Sequence, residues 1–319
     1  MCTAINETGG RHLFGRTLDL EYSLSERAVI TPRNFQLDFL YEPPQITHQA
    51  IIGIAHIANG KPLYYDAINE AGLAVAALNF GESATYLSMR PGTHNIASFE
   101  LILWVLGRCK NVREAARLLS RATVTDDSFS ASLPATPMHW LIADSSESIV
   151  VEPMADGLKI LNDPYGVLTN EPRLDFHLTN IKNYMSLDVY PPHNSICPNV
   201  KMTPYSRGMG AIGLPGDFSS ASRFIRAVFL KSHTLPEENE ETSVNRFFRI
   251  MDNLCVPQGC VITDGEKAVR TVYTSCADTE TSTYYFSTYE DRRIHRLQLS
   301  DTLADSDKLF SVPINNAQS

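Results

Sequence analysis

The sequence predicts an α+β protein whose antiparallel sheets are covered by pairs of helices. Its patterns give the order strands, two helices, strands, two helices, strands. That order differs from the strict strand–helix alternation of a doubly wound parallel sheet and favours a layered sandwich. No internal repeat or shift in composition marks a boundary, so residues 1–319 are predicted to form one domain.

The first quarter of the chain has the alternation that is typical of half-buried strands. We expect a strand over 12–22 and its hairpin partner over 28–31, before Pro32. Three further strands are expected at 51–57, 63–68 and 73–80. The turn-like segment 69–72 separates the last two, so this region predicts antiparallel sheet.

Two helices then interrupt the strands. Ser98 is expected to cap the first, which continues through Leu106 and ends at or just after Gly107. Asn111 and Glu114 resemble a capping box for the second. A polar loop is expected at 123–137, followed by strands at 138–143, 149–152, 158–161 and 167–169.

The second half begins with a proline-rich segment, 180–216, which predicts a long irregular loop of the kind that is often functional. Ser219 or Ser220 is expected to begin a helix with Phe224 on its apolar side. Residues 237–241 are expected to form an acidic, solvated connector. Further elements are expected as a helix at 243–254 and strands at 260–263, 269–274, 283–287 and 294–299.

The net charge argues against two classes of partner. Lys and Arg number 27 and Asp and Glu number 36, which gives a formal net charge of −9. Such a chain has no general electrostatic attraction to nucleic acid or to an anionic membrane. No apolar run approaches a membrane span and no secretory signal pattern is present, so we expect a soluble cytoplasmic protein with free thiols at its six cysteines.

Cys2 is a candidate nucleophile, because removal of Met1 would place a thiol and a free α-amine on one residue. A thiol titrates at about 8.5 and an α-amine at about 7.7 to 8.0, so the amine can accept the thiol proton around neutral pH. N-terminal nucleophiles work on this principle. The alternative is that Cys2 is an ordinary small residue in the second position, so the rest of the chain must decide.

Several polar residues are ambiguous when each is read locally. Arg16 and Asp19 lie three apart, so in a regular strand they project to opposite faces and would need a bulge or bend to converge. Asn79 ends an apolar strand and Asn170 lies in a turn-like segment, positions where an amide is usually structural. Arg223, in the first turn of its helix, is locally typical of a solvated surface residue.

Two other motifs predict neither a cofactor nor a metal. The segment 208–213 has the spacing of a dinucleotide-binding fingerprint, but it follows a proline-rich loop and Pro215 interrupts the helix that should come next. Cys255 and Cys260 have no second pair at zinc spacing. We therefore expect the glycines to form a tight loop and the cysteines to bind no ion.

Six dispersed segments resemble the choloylglycine hydrolase family, which comprises bile salt hydrolases and penicillin V acylases. The matching segments are 1–3, 14–16 with Asp19, 30–33, 69–73 with 78–80, 168–172, and 213–217 with 222–224. They occur in the order that the family has. The resemblance implies the four-layer αββα sandwich of N-terminal nucleophile hydrolases, which agrees with the element order above.

The resemblance also implies roles for the residues near the N-terminus. Cys2 would be the nucleophile and its own α-amine the base, with Arg16 beside the sulfur. A nearby guanidinium favours the thiolate. Asp19 would hold the amine and balance its charge.

Three residues far from the N-terminus would complete the site. The resemblance implies that Asn79 and Asn170 form the oxyanion hole and that Arg223 supports the charge network. Fixed N–H donors aimed at a developing oxyanion are worth about 2.7 to 4 kcal/mol each. Asparagine supplies such donors without a charge of its own.

The family implies cleavage of the amide between a steroid acyl group and glycine or taurine, without a cofactor. Asn79 and the segment 183–186 look more like bile salt hydrolases, whereas penicillin V and acyl-homoserine lactones are the alternative substrates. From a different class, the chain could be a catalytically silent protein that binds amphiphiles. Substrate contacts are expected in 64–67 and 128–138, and relatives imply a homotetramer.

Overall fold

The chain folds into layers built mainly of short strands that turns separate. The computed structural model describes residues 1–237 and 239–315. The strands in chain order are β1 (Cys2–Glu7), β2 (Leu13–Leu20), β3 (Arg27–Thr31), β4 (Ile51–Ala58), β5 (Lys61–Asn69), β6 (Ala74–Asn79), β7 (His94–Ala97), β8 (Ala122–Thr125), β9 (Met138–Ala143), β10 (Ser148–Met154), β11 (Gly157–Asn162), β12 (Val167–Leu168), β13 (Arg270–Asp278), β14 (Thr283–Thr288), β15 (His295–Gln298) and β16 (Phe310–Pro313). The helices are α1 (Leu101–Arg108), α2 (Val112–Leu119), α3 (Leu174–Asn180), α4 (Ser220–His233), α5 (Glu240–Asp252) and α6 (Asp301–Ala304).

Two antiparallel sheets form the centre of the described residues. One has six strands in the order β12-β1-β2-β13-β14-β15, and the other has eight in the order β11-β10-β9-β6-β5-β4-β3-β16. Helices α4 and α5 contact the six-stranded sheet, while α1 and α2 contact the eight-stranded sheet. The resulting α/β/β/α layering confirms the predicted sandwich.

The two faces of each sheet bury different sets of side chains. Alternate residues of β5 and β6, such as Ile68 and Ala76, belong to the core that the two sheets share. The intervening residues, such as Ala67 and Val75, pack on α1 in a second core. A strand buried on both faces has a continuous apolar run, which explains why residues 73–78 lack a polar side.

Local capping signals gave the correct starts for two helices. The side chain of Asn111 accepts a hydrogen bond from the backbone N–H of Glu114, 3.0 Å away, and α2 begins at the next residue. At the start of α4 the side chain of Ser219 accepts a longer hydrogen bond, 3.3 Å, from the backbone N–H of Ser222. Ser98 was wrong as a cap, because it lies in a 3-10 turn over Ser98–Glu100 and its side chain makes no capping bond. The predicted end of this helix was correct, because α1 ends at Arg108, just after Gly107.

The hairpin partner predicted for the 12–22 strand was wrong. Strand β2 pairs with β1 and β13, whereas β3 pairs with β4 and β16 in the other sheet. Between them the chain crosses from one sheet to the next through a turn in which Ser25 has a φ of 60°. Both edges of β2 are taken by strands from the ends of the chain, so sequence proximity does not decide the pairing.

Other differences arise where local patterns were weak. The strand expected at 260–263 reduces to one bridge between Ile262 and Ala268 in an otherwise exposed turn. Glu240 and Glu241 are not a connector but the first turn of α5, which Asn239 caps, and acidic residues are stabilising there. Glu238 lies outside the described residues. The elements that the sequence did not predict are β1, β7, β8, β16, α3 and α6.

The proline-rich loop is largely irregular, as expected, with short 3-10 turns at Ile181–Tyr184 and Met209–Ala211. Gly208 and Gly213 have φ values of 78° and 99°, a left-handed conformation that glycine adopts without strain. A side chain on Gly210 would collide with the carbonyl oxygen of Tyr190. These glycines therefore serve the loop, and no helix follows them at the position that the dinucleotide motif requires.

Candidate active site

Cys2 begins β1, the second strand of the six-stranded sheet. It pairs with Leu18 of β2, and its side chain is buried. Its backbone N–H donates to Oδ1 of Asn170 over 2.8 Å. Met1 extends the pairing, because its carbonyl accepts from the backbone N–H of Asp19 at 3.0 Å and its ammonium donates to the Asp19 carbonyl at 2.9 Å. The Cys2 nitrogen is therefore already fixed by hydrogen bonds at the edge of the sheet.

Arg16 lies on the same face of the sheet as Cys2, because the register pairs Ala4 with Arg16 and Cys2 with Leu18. The Arg16 side chain spans the gap between the sheets, and its Nη1 donates to the carbonyls of Tyr65 at 3.1 Å and Ala77 at 2.5 Å. Burial alone would lower the pKa of Arg16, but Cys2, Tyr273, Asp66 and Asp19 together raise it above its ordinary value. Arg16 therefore stays charged.

The other terminal nitrogen of the Arg16 guanidinium, Nη2, is not used in these contacts. Nη2 of Arg16 is buried and has no hydrogen-bond partner among the described residues. The Cys2 sulfur is the largest favourable influence on the Arg16 charge. A buried, uncommitted N–H donor beside a thiol stabilises the thiolate, which is the nucleophilic form.

Asp19 lies on the opposite face of β2 from Arg16, as strand alternation requires. Its carboxylate accepts from the hydroxyls of Thr271 at 2.6 Å and Thr17 at 3.2 Å. The irregularity in the sheet lies not in β2 but in β13, where the register shifts between Thr271 and Tyr273 and brings the Thr271 hydroxyl to the Asp19 side. Arg16 and Asp19 thus flank the start of β1 from two sides without converging.

Asn170 and Arg223 form the side of the site that faces the helices. Nη2 of Arg223 donates to Oδ1 of Asn170 at 2.7 Å, and Nη1 donates to Oγ1 of Thr3 at 2.6 Å and to the Cys2 carbonyl. Because a guanidinium can only donate, the Asn170 oxygen must face it and the Nδ2 amide group must point away. Burial lowers the pKa of Arg223, and the charges of Asp19 and Cys2 oppose that effect. The local interpretation of Arg223 as a solvated residue was wrong.

Asn79 ends β6 in the facing sheet, and its residue is exposed. Its backbone carbonyl accepts from Nδ2 of Asn170 at 2.8 Å, which joins the two sheets at the site. The Asn79 side-chain amide makes no hydrogen bond within the described residues, and one hydrogen of the Asn170 amide is likewise unused. Two neutral N–H donors on neighbouring residues therefore remain free for a ligand oxygen.

Three residues to which the sequence gave no role in the site bond to Asn170 or to backbone near the two asparagines. Nε2 of His139 bonds to the carbonyl of Thr169 at 2.9 Å, and its ring stacks on Phe80 with centroids 4.3 Å apart. Oε1 of Glu171 accepts a hydrogen bond from the backbone N–H of Glu82 at 2.6 Å. Oγ of Ser220 accepts one from the backbone N–H of Asn170 at 2.9 Å. Nothing in the local sequence marks them, because their partners are distant along the chain.

His139 gives a testable pH dependence of stability. Burial lowers its pKa to about 3, whereas an unfolded imidazole titrates at about 6.5. As the pH falls, the unfolded chain takes up the proton first. The neutral His139 therefore contributes its full stability above about pH 6.5, and this stability is lost as the pH falls toward the pKa of the folded state. When the pH falls from 7 to 5, the unfolding free energy of the wild type should fall by about 2 kcal/mol more than that of the His139→Gln variant.

Denaturant unfolding at the two pH values measures this difference. His193, which is exposed, provides the matched control, and His193→Gln should keep the wild-type pH dependence. Equal losses in His139→Gln and in the wild type would contradict the assignment of a neutral, buried imidazole at position 139.

An apolar cavity of about 730 Å³, including its open side, lies beside Arg16. Tyr65 and Ala77, whose carbonyls bind Arg16, line it, and so does Met138, which pairs with Asn79. The other lining residues are mostly apolar: Leu24, His56, Leu63, Tyr64, Ser98, Phe99, Ile102, Phe129, Leu133, Pro134, Thr136 and Trp140. The cavity includes parts of both segments expected to contact substrate, of which 64–67 belongs to β5.

Residues 1–237 and 239–315 offer neither a metal site nor a membrane-spanning helix. No cluster of three or more His, Cys, Asp or Glu side chains there could hold a metal ion. Helices of that part of the chain are too short or too polar to cross a membrane. All six cysteines are unpaired thiols, as expected.

The sandwich, with a buried cysteine at the start of a central strand, has the fold of N-terminal nucleophile hydrolases. A mutant conjugated bile acid hydrolase from Clostridium perfringens superposes with a TM-score of 0.90 at 34% identity, over 99% of this chain and 97% of that one. Penicillin V acylase from Agrobacterium tumefaciens shares the fold with a TM-score of 0.78 at 18% identity, over 98% and 91% of the two chains.

Sequence comparison then gives the family. Residues 2–311 match the model of linear amide C–N hydrolases, choloylglycine hydrolase family. A bile salt hydrolase/transferase from Lactiplantibacillus plantarum is 43% identical over 99% of this chain and 98% of its own length. A conjugated bile acid hydrolase from Lactobacillus gasseri is 35% identical over 98% of this chain and 100% of its own length. The chain belongs to the choloylglycine hydrolase family and is a hydrolase of linear amide C–N bonds.

Proposed function

We propose that this enzyme hydrolyses the amide bond of glycine- or taurine-conjugated bile acids, with Cys2 as its nucleophile. The observation that carries the proposal is the fixed Cys2 nitrogen, bonded to Asn170 over 2.8 Å at the edge of a sheet whose inner face also presents Arg16. Relatives of full-length similarity are named for bile salts. The apolar cavity beside the site supports a steroid as the acyl group.

The first half of the proposed reaction forms a thioester. Once Met1 is removed, the α-amine of Cys2 takes the thiol proton and the sulfur attacks the amide carbon. The carbonyl electron pair moves to oxygen, and the amide N–H donors of Asn79 and Asn170 stabilise that oxyanion. When the C–N bond breaks, the α-ammonium returns the proton to the leaving nitrogen, and the amino acid departs.

The second half repeats these steps with water. The α-amine takes a proton from water as the water oxygen attacks the thioester carbon, and the same amides stabilise the second oxyanion. The C–S bond then breaks, the bile acid leaves, and the proton returns to the thiol. Asn170 and Asp19 keep the amine in place, and Arg223 orients Asn170.

Turnover of matched substrates tests the proposal. We expect kcat/KM for conjugated bile acids to exceed that for penicillin V and for acyl-homoserine lactones by at least about tenfold, because a larger apolar acyl group buries more surface in the cavity. Released amino acid or amine is measured for each substrate. A preference for penicillin V would assign the penicillin V acylase alternative, and no turnover of any amide would favour a silent binding protein.

Intact mass is the control for that comparison. Retention of Met1 leaves the Cys2 nitrogen acylated and without basicity, so the measured protein must lack that residue. Inactivity of a protein that still carries Met1 would count neither for nor against the substrate, and the assay is therefore read only on the trimmed form.

A second activity is favoured by the relative from Lactiplantibacillus plantarum, which is a bile salt hydrolase/transferase. A thioester can pass its acyl group to an amine in place of water. We propose that added free amino acid competes with water in this enzyme, which product analysis by mass spectrometry would detect as a new conjugate.

We further propose that residues 1–319 form one domain and assemble into a homotetramer in the cytoplasm. Exposed apolar side chains on the 180–216 loop, including Met185, Ile196 and Tyr205, support a surface covered by another subunit. Six unpaired thiols suit a reducing compartment. Sedimentation tests the homotetramer, cell fractionation tests the compartment, and a single cooperative unfolding transition would support one domain.

A further inference from the structure

A second buried ionisable group lies between the sheets, opposite β13 and β14. Asp66 of β5 projects toward the six-stranded sheet, where its Oδ1 accepts from the hydroxyl of Tyr273 at 2.6 Å. Its Oδ2 accepts from the hydroxyl of Ser275 at 2.9 Å and from that of Tyr284. The residue is almost completely buried, and neither its family resemblance nor its local sequence gives it a role.

The hydrogen-bond count indicates that Asp66 is a carboxylate. The hydroxyl of Ser275 already accepts the backbone N–H of Arg16 at 3.1 Å, so its own hydrogen points to Asp66. Burial raises the pKa of Tyr273 and of Tyr284 well above the ordinary value, so both phenols keep their hydrogens. Three donors converge on two oxygens, an arrangement that satisfies an ionised carboxyl group and leaves no acceptor for a proton of its own.

Opposing effects act on this carboxyl group. Burial is the largest effect and leaves the pKa of Asp66 raised above its ordinary value, while the charge of Arg16 and the hydroxyls of Tyr273, Tyr284 and Ser275 oppose that rise. Arg16 in turn is fully buried, and a buried cation is expensive unless an anion compensates it. The position of the guanidinium does not depend on Asp66, because the backbone carbonyls of Thr17, Tyr65 and Ala77 hold it.

We propose that Asp66, which the Ser275 hydroxyl joins to the backbone of Arg16, is the counter-charge of Arg16 and acts on Cys2 only through it, by limiting how strongly Arg16 stabilises the Cys2 thiolate. The inference rests on the proposed roles of Cys2 and Arg16. Asp66 touches neither the nucleophile nor the cavity, so it acts through the electrostatic balance of the guanidinium. The same balance keeps the thiolate basic enough to attack, because nucleophilicity falls with thiol pKa.

The sign of the effect follows from the charges around the sulfur. Arg16 favours the thiolate from the inner face, Asp19 disfavours it from the other face, and Arg223 lies beyond the Cys2 carbonyl. Removing the negative charge of Asp66 leaves Arg16 uncompensated. The thiolate of Cys2 then forms at lower pH.

The test is the pH dependence of Cys2 alkylation by iodoacetamide, followed by mass spectrometry of the N-terminal peptide. In Asp66→Asn we expect the midpoint to fall by roughly half to one pH unit, because a unit charge several ångströms away has an effect of that size at a protein-like dielectric constant. The alkylation rate at the high-pH plateau should fall as well. The readout needs no substrate, so its failure is distinct from a failure of the proposed hydrolysis.

Asp278→Asn is the matched control. Asp278 is also fully buried and lies on β13, but its partner is Arg11, whose Nε is 2.5 Å away, at the other end of the sheet. We expect this variant to lose stability and to keep the wild-type midpoint. An unchanged or raised midpoint in a folded Asp66→Asn variant, or an equal shift in Asp278→Asn, would overturn the inference.

A double variant covers the case in which Asp66→Asn does not fold. Removing both buried charges in Arg16→Met with Asp66→Asn should restore a folded protein, because neither charge is then left alone. Circular dichroism and thermal melts measure this recovery. Failure of the double variant to fold better than Asp66→Asn would show that the two charges do not compensate each other, and the proposal would be wrong.

Discussion

Replacing Cys2 with serine is expected to reduce hydrolysis of conjugated bile acids by about 10³-fold or more while leaving the fold intact. The α-amine can take a thiol proton because the two groups titrate within about one unit of each other, whereas a hydroxyl holds its proton far more tightly. Loss of a nucleophile in other hydrolases has effects of this order or larger. Serine differs from cysteine by one atom, so the strand pairing with Leu18 should persist.

Cys276→Ser gives the matched control. Cys276 is also buried in the six-stranded sheet, and burial raises the pKa of its thiol well above the ordinary value, so it is inert. Its replacement should cost some stability but leave kcat within about twofold of the wild type. Full activity of Cys2→Ser, measured on protein whose mass shows that Met1 is absent, would exclude Cys2 as the nucleophile.

Replacing Asn170 with alanine is expected to lower kcat by about 10² to 10³-fold, with a smaller change in KM. The substitution removes an N–H donor to the oxyanion, which matters only in the transition state. It also removes the oxygen that binds the Cys2 nitrogen at 2.8 Å and Nη2 of Arg223 at 2.7 Å. A buried guanidinium then loses a partner, so a fall in melting temperature should accompany the fall in rate.

Asn170→Asp separates these two effects. A carboxylate can still accept from the Cys2 nitrogen and from Arg223, but it cannot donate to an oxyanion. We expect this variant to lose kcat nearly as completely as Asn170→Ala, with a smaller fall in melting temperature, because it keeps the contact with Arg223 and loses the donation to the Asn79 carbonyl. Asn180→Ala, at the end of α3, should retain wild-type kinetics. Wild-type turnover in Asn170→Asp would contradict the oxyanion role.

The fold was predictable where the signals were local. The Asn111 and Ser219 caps bond to backbone groups three residues away, so the sequence at those sites contains the whole interaction. The partner of 28–31 was not predictable in this way, because it is chosen by which strands already occupy the edges of β2. Strand β1 escaped notice for the same reason, since both of its neighbours arrive from later in the chain.

The site was predictable only from the resemblance. Read locally, Arg223 is an exposed helical arginine, yet it is fully buried because Thr3, the Cys2 carbonyl and Asn170 surround it. Asp66 was not predicted at all. The hydrogen-bond partners of this single carboxylate become apparent only when the tyrosines opposite it, more than two hundred residues later, are placed.

Met1 continues the pairing of β1 with β2, so the fold is already complete around Cys2 while its nitrogen is still an amide. Under the proposed mechanism, cutting one peptide bond converts a folded, inert protein into an enzyme without any rearrangement. A purification tag placed ahead of Cys2 would therefore give soluble, well-folded and inactive material. A tag at the opposite end of the chain would leave the amine free.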